Sequence, residues 1–119
     1  MTFLVDQAYG VNEDRWRHRF ETLSSHGPVL YVLADWSAIY ETEMRWFVDQ
    51  VAALGYPFRI ATKNELSELV VDTDGVFFRG ERIGLVRRLF AIWEPEQHPV
   101  LQHLVIASRD GRVKLDQPF

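Results

Sequence analysis

The stretch that decides the fold is Pro28–Ala34, with the sequence PVLYVLA, which runs directly into Asp35-Trp36-Ser37. Every position in it is apolar or aromatic, and the turn signal His26-Gly27 precedes it. A short run of this kind is typical of a strand buried on both faces, as in parallel sheets covered by helices. The sequence therefore predicts a central strand whose carboxyl end presents Asp35, at the edge where ligands bind in open α/β sheets.

The residues that follow this strand predict a βαβ unit. Apolar residues recur at helical spacing between Ser37 and Leu54, Gly55 is placed to end that helix, and Phe58–Ala61 has the composition of a second strand. Asp35 or Ser37 is expected to cap the helix. The expected apolar stripe is Tyr40, Met44, Phe47, Val48, Val51 and Leu54. A strand, helix and strand joined in this way place the two strands parallel.

Further elements on both sides complete the prediction of an α/β domain. A first helix is expected to begin at a cap on Asn12, and residues 69–88 predict an antiparallel meander whose last strand, 82–88, rejoins the main sheet. A third helix beginning near Pro99 and a last strand at 113–115 follow. We therefore expect residues 1–119 to form a single three-layer α/β domain with a parallel core sheet and an antiparallel meander.

Composition excludes several classes of protein. Hydrophobic residues make up 47% of the 119 residues, which is too many for a disordered chain, and the net charge of -4 argues against non-specific binding to nucleic acid or to anionic membranes. Absence of cysteine excludes disulfides, thiolate metal sites and cysteine nucleophiles. Neither a membrane-spanning run nor a signal peptide is found, so we expect a cytoplasmic protein. The abrupt end at Phe119 suggests a fragment of a longer chain.

The sequence predicts no cofactor or metal site in this chain. The turn after the first strand, Ala34–Ala38, contains no glycine, although a dinucleotide fold needs small residues there, and no P-loop pattern occurs. His98 and His103 are five residues apart and therefore point to different faces of a helix, and no carboxylate is convincingly placed to join them. No catalytic triad or pair of catalytic carboxylates is evident from spacing.

Polar candidates are Asp35 and the arginines of the meander. Asp35 has two interpretations, a ligand-binding carboxylate at the sheet edge or a helix cap. Arg79, Arg82, Arg87 and Arg88 form the densest charge cluster. In a strand, Arg87 and Arg88 point in opposite directions, so one of them faces the core or a cleft and needs an anionic partner. That partner is a structural carboxylate or a carboxylate or phosphate of a ligand.

The second helix carries another apolar stripe, Ile39, Trp46 and Ala53, nearly opposite the first. Two interpretations stay open. The stripe is the flank of one wide buried face, or it is a surface that a further domain or a second copy of the chain covers.

Residues Asp74–Phe90 (DGVFFRGERIGLVRRLF) resemble a stretch in circularly permuted ATP-grasp ligases, the relatives of glutathionylspermidine synthase. The family pattern is an acidic residue with glycine, an apolar run, a glycine, and an ending similar to Tyr-Arg-Leu-Phe. The helix with Leu54-Gly55-Tyr56 and the segment 110–119 look like parts of the same family. This chain departs from the pattern at Gly84, where the family usually has aspartate, and at Arg87, where it usually has tyrosine.

The resemblance implies the Rossmann-like pre-ATP-grasp domain of such a ligase. ATP and magnesium would be bound by the remainder of the ATP-grasp chain, which is the expected partner, and this chain alone would be inert. Arg88 matches the family's arginine, so it would contact an anionic substrate group, with Arg87 and Asp35 as further substrate-binding candidates. An Arg88 held in a structural salt bridge is the competing interpretation. The alternative function is a stand-alone binding module that dimerises through the helix bearing Trp46.

Overall fold

The computed structural model describes residues 13–116 and shows an α/β fold with two sheets. The helices are α1 (Glu13–Leu23), α2 (Glu41–Ala53) and α3 (Pro99–Arg109), and short 3-10 turns lie at Ser24–His26, Ala38–Tyr40, Lys63–Glu68 and Glu94–Glu96. The strands are β1 (Val29–Val32), β2 (Phe58–Ala61), β3 (Leu69–Asp72), β4 (Gly75–Phe78), β5 (Glu81–Arg82), β6 (Leu85–Arg88) and β7 (Lys114–Asp116). The cap expected at Asn12 and the last residues of the family resemblance, 117–119, lie outside the described residues.

Strand β1 lies inside a parallel sheet of order β2-β1-β6-β7. Its side chains alternate between two cores, because successive residues of a strand point to opposite faces. Leu30 and Val32 enter one core, and Val29 and Tyr31 enter the other. The prediction of a parallel strand buried on both faces is therefore confirmed.

One face of this sheet is covered by α1 and α2. Phe20 of α1 packs against Phe58 of β2 with ring centroids 5.5 Å apart, and Phe47 and Val51 of α2 are buried in the same core. Tyr40 and Leu54 at the ends of the expected stripe are exposed. The 13 residues of α2 span about 20 Å. Four-residue strands such as β1 span only about 13 Å, so the helix extends past the sheet that it covers.

The opposite face is covered by α3 and by the second sheet, which is antiparallel with the order β3-β4-β5. Leu101 and Leu104 of α3 share a core with Val76 and Phe78 of β4 and with Val86 of β6. The expected three layers and the antiparallel meander are both present.

The expected single strand 82–88 is wrong, because the chain changes sheets at Ile83 and Gly84. The backbone N–H of Ile83 donates to the oxygen of Val76 at 2.8 Å, while that of Gly84 donates to the oxygen of Pro28 at 2.9 Å. A Cβ on Gly84 would lie 2.2 Å from the backbone oxygen of His26. Glycine at this position therefore allows β6 to pass the turn that begins β1.

The strand order places β2 on one side of β1 and β6 on the other. The connection after β1 leads to one side of it and the later connection to β6 leads to the other side, so the strand order switches between β1 and β6. In open α/β sheets, ligands usually bind at the carboxyl ends of the two strands that flank such a switch point. Val32 lies opposite both Ala61 and Arg88, so these three strands end at the same edge.

None of the helices within residues 13–116 has both the length and the apolar character that crossing a bilayer requires.

Candidate functional site at the carboxyl edge of the parallel sheet

Asp35 lies at this edge and contacts a lysine and a histidine. Its Oδ1 is 2.8 Å from Nζ of Lys63, which follows β2, and its Oδ2 is 3.1 Å from Nε2 of His98, which precedes α3. The hydrogen bond from Lys63, followed by that from His98, lowers the pKa of Asp35 below its ordinary value. The same carboxylate raises the pKa of Lys63.

The interpretation of Asp35 as a helix cap is wrong. The 3-10 turn at Ala38–Tyr40 begins after Ser37 and α2 begins after Tyr40, and neither start receives a capping hydrogen bond from a side chain. The hydroxyl of Ser37 instead accepts a hydrogen bond from the backbone N–H of Ala34 at 3.1 Å. The chain leaves β1 through this turn, which directs the carboxylate of Asp35 to Lys63 and His98.

Glu94 is a buried carboxylate beside Asp35. Its side chain comes from the loop after β6, and only 1% of the residue is exposed. Oε1 accepts a hydrogen bond from the backbone N–H of Ala91 at 2.8 Å, and Oε2 accepts one from that of Trp36 at 3.2 Å. The two hydrogen bonds of Glu94 thus connect the loop after β1 with the loop after β6.

His98 completes the cluster from the start of α3. It has an extended backbone (φ −132°, ψ 104°), as expected for a residue that precedes proline. One donor atom each from Asp35, Glu94 and His98 lies within 4.8 Å of the others. Three residues of the types that bind divalent cations, Asp35 from one segment and Glu94 and His98 from another, therefore meet at the carboxyl edge of the sheet.

Two exposed tryptophans stand next to this cluster. Trp36 follows Asp35 and is 59% exposed, and Trp93 precedes Glu94 and is 52% exposed. Their rings meet edge to face with centroids 6.3 Å apart. Ile92 is exposed beside Trp93 in the chain. Adjacent exposed apolar side chains of this size are typical of a surface that contacts a ligand or another part of a protein.

Arg87 and Arg88 point to opposite faces of β6, as expected. Nε of Arg87 is 2.8 Å from Oδ2 of Asp116 on β7, and its guanidinium lies over the ring of Tyr31, with Cζ 5.4 Å from the ring centroid. Arg88 is half-buried, and its Nη1 donates to the backbone oxygen of Phe90 at 2.7 Å. The structure thus gives Arg87 a carboxylate partner within the sheet and places Arg88 at the carboxyl edge.

The arginines expected to form one cluster are dispersed. Arg79 follows β4 in the second sheet. It is paired there with Glu65 at 2.6 Å and Glu68 at 2.9 Å. Arg82 is exposed in the meander beside Gly75. Asp35 and Arg88 are the candidate residues that the structure places at the neighbouring ends of β1 and β6.

Sequence reasoning missed Lys63, Glu94 and His98 as members of one site. Glu94 lies in the loop Trp93–Pro99, which contains two prolines and has no periodic pattern from which burial could be inferred. His98 and Asp35 are 63 residues apart in the chain. One general rule could have identified Lys63. Polar residues that follow parallel strands gather at the carboxyl edge of the sheet, and this applies to Lys63 after β2 as it does to Asp35 after β1.

Comparisons with known proteins place no further constraint on the site: no family model, curated protein or solved structure matches this chain.

Proposed function

We propose that this chain is the Rossmann-like pre-ATP-grasp domain of a cytoplasmic ATP-dependent carboxylate–amine ligase and forms one wall of its substrate cleft. The resemblance of residues 74–90 motivates the proposal. The observation that supports it best is the shared carboxyl edge of β1 and β6, where Asp35 and Arg88 occupy neighbouring strand ends and two exposed tryptophans flank Asp35 and Glu94 in the chain.

The charges at this edge suit the two substrates of such a ligase. An amine acceptor is an ammonium ion before it reacts, so it is attracted to the exposed carboxylate of Asp35. A carboxylate or phosphate is attracted to the positive charge of Arg88. The exposed rings of Trp36 and Trp93 supply apolar contact area beside these groups.

The residues at this edge do not fit a nucleoside triphosphate. The turn after β1 has no glycine, and the carboxylate of Asp35 stands where a Rossmann fold places a phosphate. In the proposed ligase, ATP and magnesium are therefore bound by the remainder of the ATP-grasp chain, and no step at this edge is assigned to them.

The two departures from the family pattern have structural explanations in this chain. The position of Gly84 has no room for the family's usual aspartate. The Cβ of any side chain there would lie 2.2 Å from the backbone oxygen of His26. Arg87 forms an ion pair with Asp116 on the neighbouring strand. Arg88 is the residue of the family pattern that lies at the carboxyl end of β6, and the proposed function depends on it.

Replacing Arg88 in the full-length protein tests the proposal. We expect Arg88→Ala to reduce amine-dependent ADP release by about tenfold or more, the effect of losing one charged contact to the reacting groups. The control is Arg82→Ala, which removes an exposed arginine of β5 in the other sheet and should leave turnover unchanged.

Thermal unfolding of both variants separates the two interpretations of Arg88. Its hydrogen bond to the oxygen of Phe90 gives it a structural contact as well. A large loss of thermal stability with normal turnover would show that Arg88 is structural and would refute its proposed contact with substrate.

A second candidate function is an interaction module that dimerises through α2. Trp46 and Ala53 lie on α2, and Ile39 lies in the 3-10 turn before it. All three are exposed, with Trp46 42% and Ile39 82% accessible. Monomeric proteins seldom leave apolar side chains of this size exposed along one helix face without a function.

A further inference from the structure

We propose that Asp35, Glu94 and His98 form a binding site for a divalent transition-metal ion of the zinc class. Their donor atoms lie within 4.8 Å of one another, and the closest contact given is 3.1 Å between Oδ2 of Asp35 and Nε2 of His98. Ligands about 2.1 Å from a tetrahedral ion are about 3.4 Å apart, so the three side chains need shifts of only about 1 Å or less to reach one ion. Solvent can supply the fourth ligand, since Asp35 is exposed.

The buried carboxylate of Glu94 is the observation that most favours a cation. Buried charges in proteins are paired with an opposite charge or coordinate a metal. Among residues 13–116, no lysine, arginine or histidine forms an ion pair with Glu94, and its hydrogen bonds come from the backbone N–H groups of Ala91 and Trp36. A metal ion in contact with Glu94 would supply the missing positive charge.

Each ligand is already oriented by a neighbour. The two backbone donors hold the carboxylate of Glu94, the hydrogen bond with Lys63 holds Oδ1 of Asp35, and Pro99 restricts the backbone of His98. Such outer contacts are a regular feature of metal sites, because they fix the direction of the ligand atoms. Binding would therefore require little additional ordering of the chain.

The donor types select the class of ion. An imidazole nitrogen with two carboxylates suits Zn²⁺, Co²⁺ and similar ions, whereas Mg²⁺ and Ca²⁺ prefer sites made only of oxygen ligands. Lys63 opposes binding, because its ammonium group lies on the other oxygen of Asp35. The inference goes beyond the proposed ligase activity but shares Asp35 with it. Metal binding by the 119-residue chain is measured without turnover, and Arg88 is not a ligand, so failure of one proposal is distinguishable from failure of the other.

Titration of the 119-residue chain with Zn²⁺, followed by calorimetry, and with Co²⁺, followed by visible absorption, tests the site. We expect one ion per chain, no comparable binding of Mg²⁺, and a loss of affinity of tenfold or more in His98→Ala. His103→Ala is the matched control, because His103 is an exposed histidine of α3 outside the cluster, and it should bind as the wild type does.

Two further variants make the result decisive. Asp35→Asn removes an exposed ligand and should weaken binding as strongly as His98→Ala, with circular dichroism as the check that both variants are folded. Lys63→Met should bind more tightly than the wild type, because it removes a competing positive charge. Absence of binding by the wild type, or equal affinities of Asp35→Asn, His98→Ala and His103→Ala, would overturn the proposal.

Discussion

Glu65 forms ion pairs with two arginines, Arg45 and Arg79. Its Oε1 accepts hydrogen bonds from the Thr62 hydroxyl at 2.8 Å and from Nη2 of Arg45 at 2.6 Å, and its Oε2 is 2.6 Å from Arg79. Partial burial alone would raise its pKa, but the hydrogen bonds from Thr62 and Arg45 outweigh burial and lower the pKa to about 2. Glu65 therefore joins α2, the end of β2 and the second sheet.

This lowered pKa predicts acid sensitivity. The ordinary value is 4.5, so the ionised group stabilises the fold fully above that pH, and its contribution is lost as the pH falls toward about 2. We expect Glu65→Gln to lower the free energy of unfolding by about 1–2 kcal/mol at pH 7, a value discounted for solvent screening, and by almost nothing near pH 2. Urea unfolding across this range measures the difference.

The control for Glu65→Gln is Glu96→Gln, which changes an exposed glutamate in the loop before α3. It should have little effect at either pH. An equal loss of unfolding free energy at pH 7 and pH 2 in Glu65→Gln would contradict the prediction, because it would show that the charge of Glu65 does not account for the loss.

Gly84 is the second position at which one residue decides the local structure. A methyl group there would meet the backbone atoms of His26 and Gly27 at 2.2–2.8 Å, and backbone cannot move aside as a flexible side chain can. We expect Gly84→Ala to destabilise the fold by about 1–3 kcal/mol in urea unfolding, as overpacked sites do.

A matched control for Gly84→Ala is Gly80→Asn. Gly80 has φ 80°, which asparagine tolerates, and a Cβ there meets nothing within 4 Å. The expected cost is below about 1 kcal/mol. Equal stability of Gly84→Ala and the wild type would contradict the close backbone approach.

At the scale of the elements, α2 has a buried apolar face and an exposed face that carries one large apolar side chain, Trp46. Phe47, Val48 and Val51 face the core, and Trp46 faces outward. If the second candidate function is correct, the chain dimerises and Trp46→Glu makes it monomeric, because a buried charge without a partner is costly at an interface. Sedimentation velocity over a range of concentrations measures the association.

The control for Trp46→Glu is Gln102→Glu, which adds the same charge at an exposed position of α3. It should leave the association unchanged. A wild-type chain that stays monomeric at all concentrations would refute dimerisation through α2.

At the scale of the whole molecule, the proposed ligase needs groups that residues 13–116 do not supply. The turn after β1 lacks glycines for a nucleotide, and the described basic residues of the meander are dispersed. We therefore expect the 119-residue chain to hydrolyse no ATP in the presence of magnesium and a panel of carboxylates and amines. The full-length protein in the same assay is the positive control, and turnover by the chain above buffer background would contradict the prediction.

Local sequence patterns were sufficient for most of the fold. The run 28–34 predicted a strand with two buried faces, because a strand with one solvent-facing side would alternate apolar and polar residues. Helical spacing predicted α2, and Gly55 correctly marked its end with φ 100°. The break between β5 and β6 could not be predicted in this way, since it depends on the approach of His26 to Gly84 across the sheet.

By itself, the sequence determined the α/β class, the central strand and the position of Asp35 at its end, because periodicity and turn residues act over a few neighbouring positions. Only the tertiary structure decided what Asp35 does. It brought Lys63 from the end of β2, and Glu94 and His98 from the loop before α3, to the same strand end and left the start of α2 without a side-chain cap. The physical reason is that a parallel sheet aligns strand ends that are far apart in the chain, so its edge gathers side chains whose meeting no local pattern records.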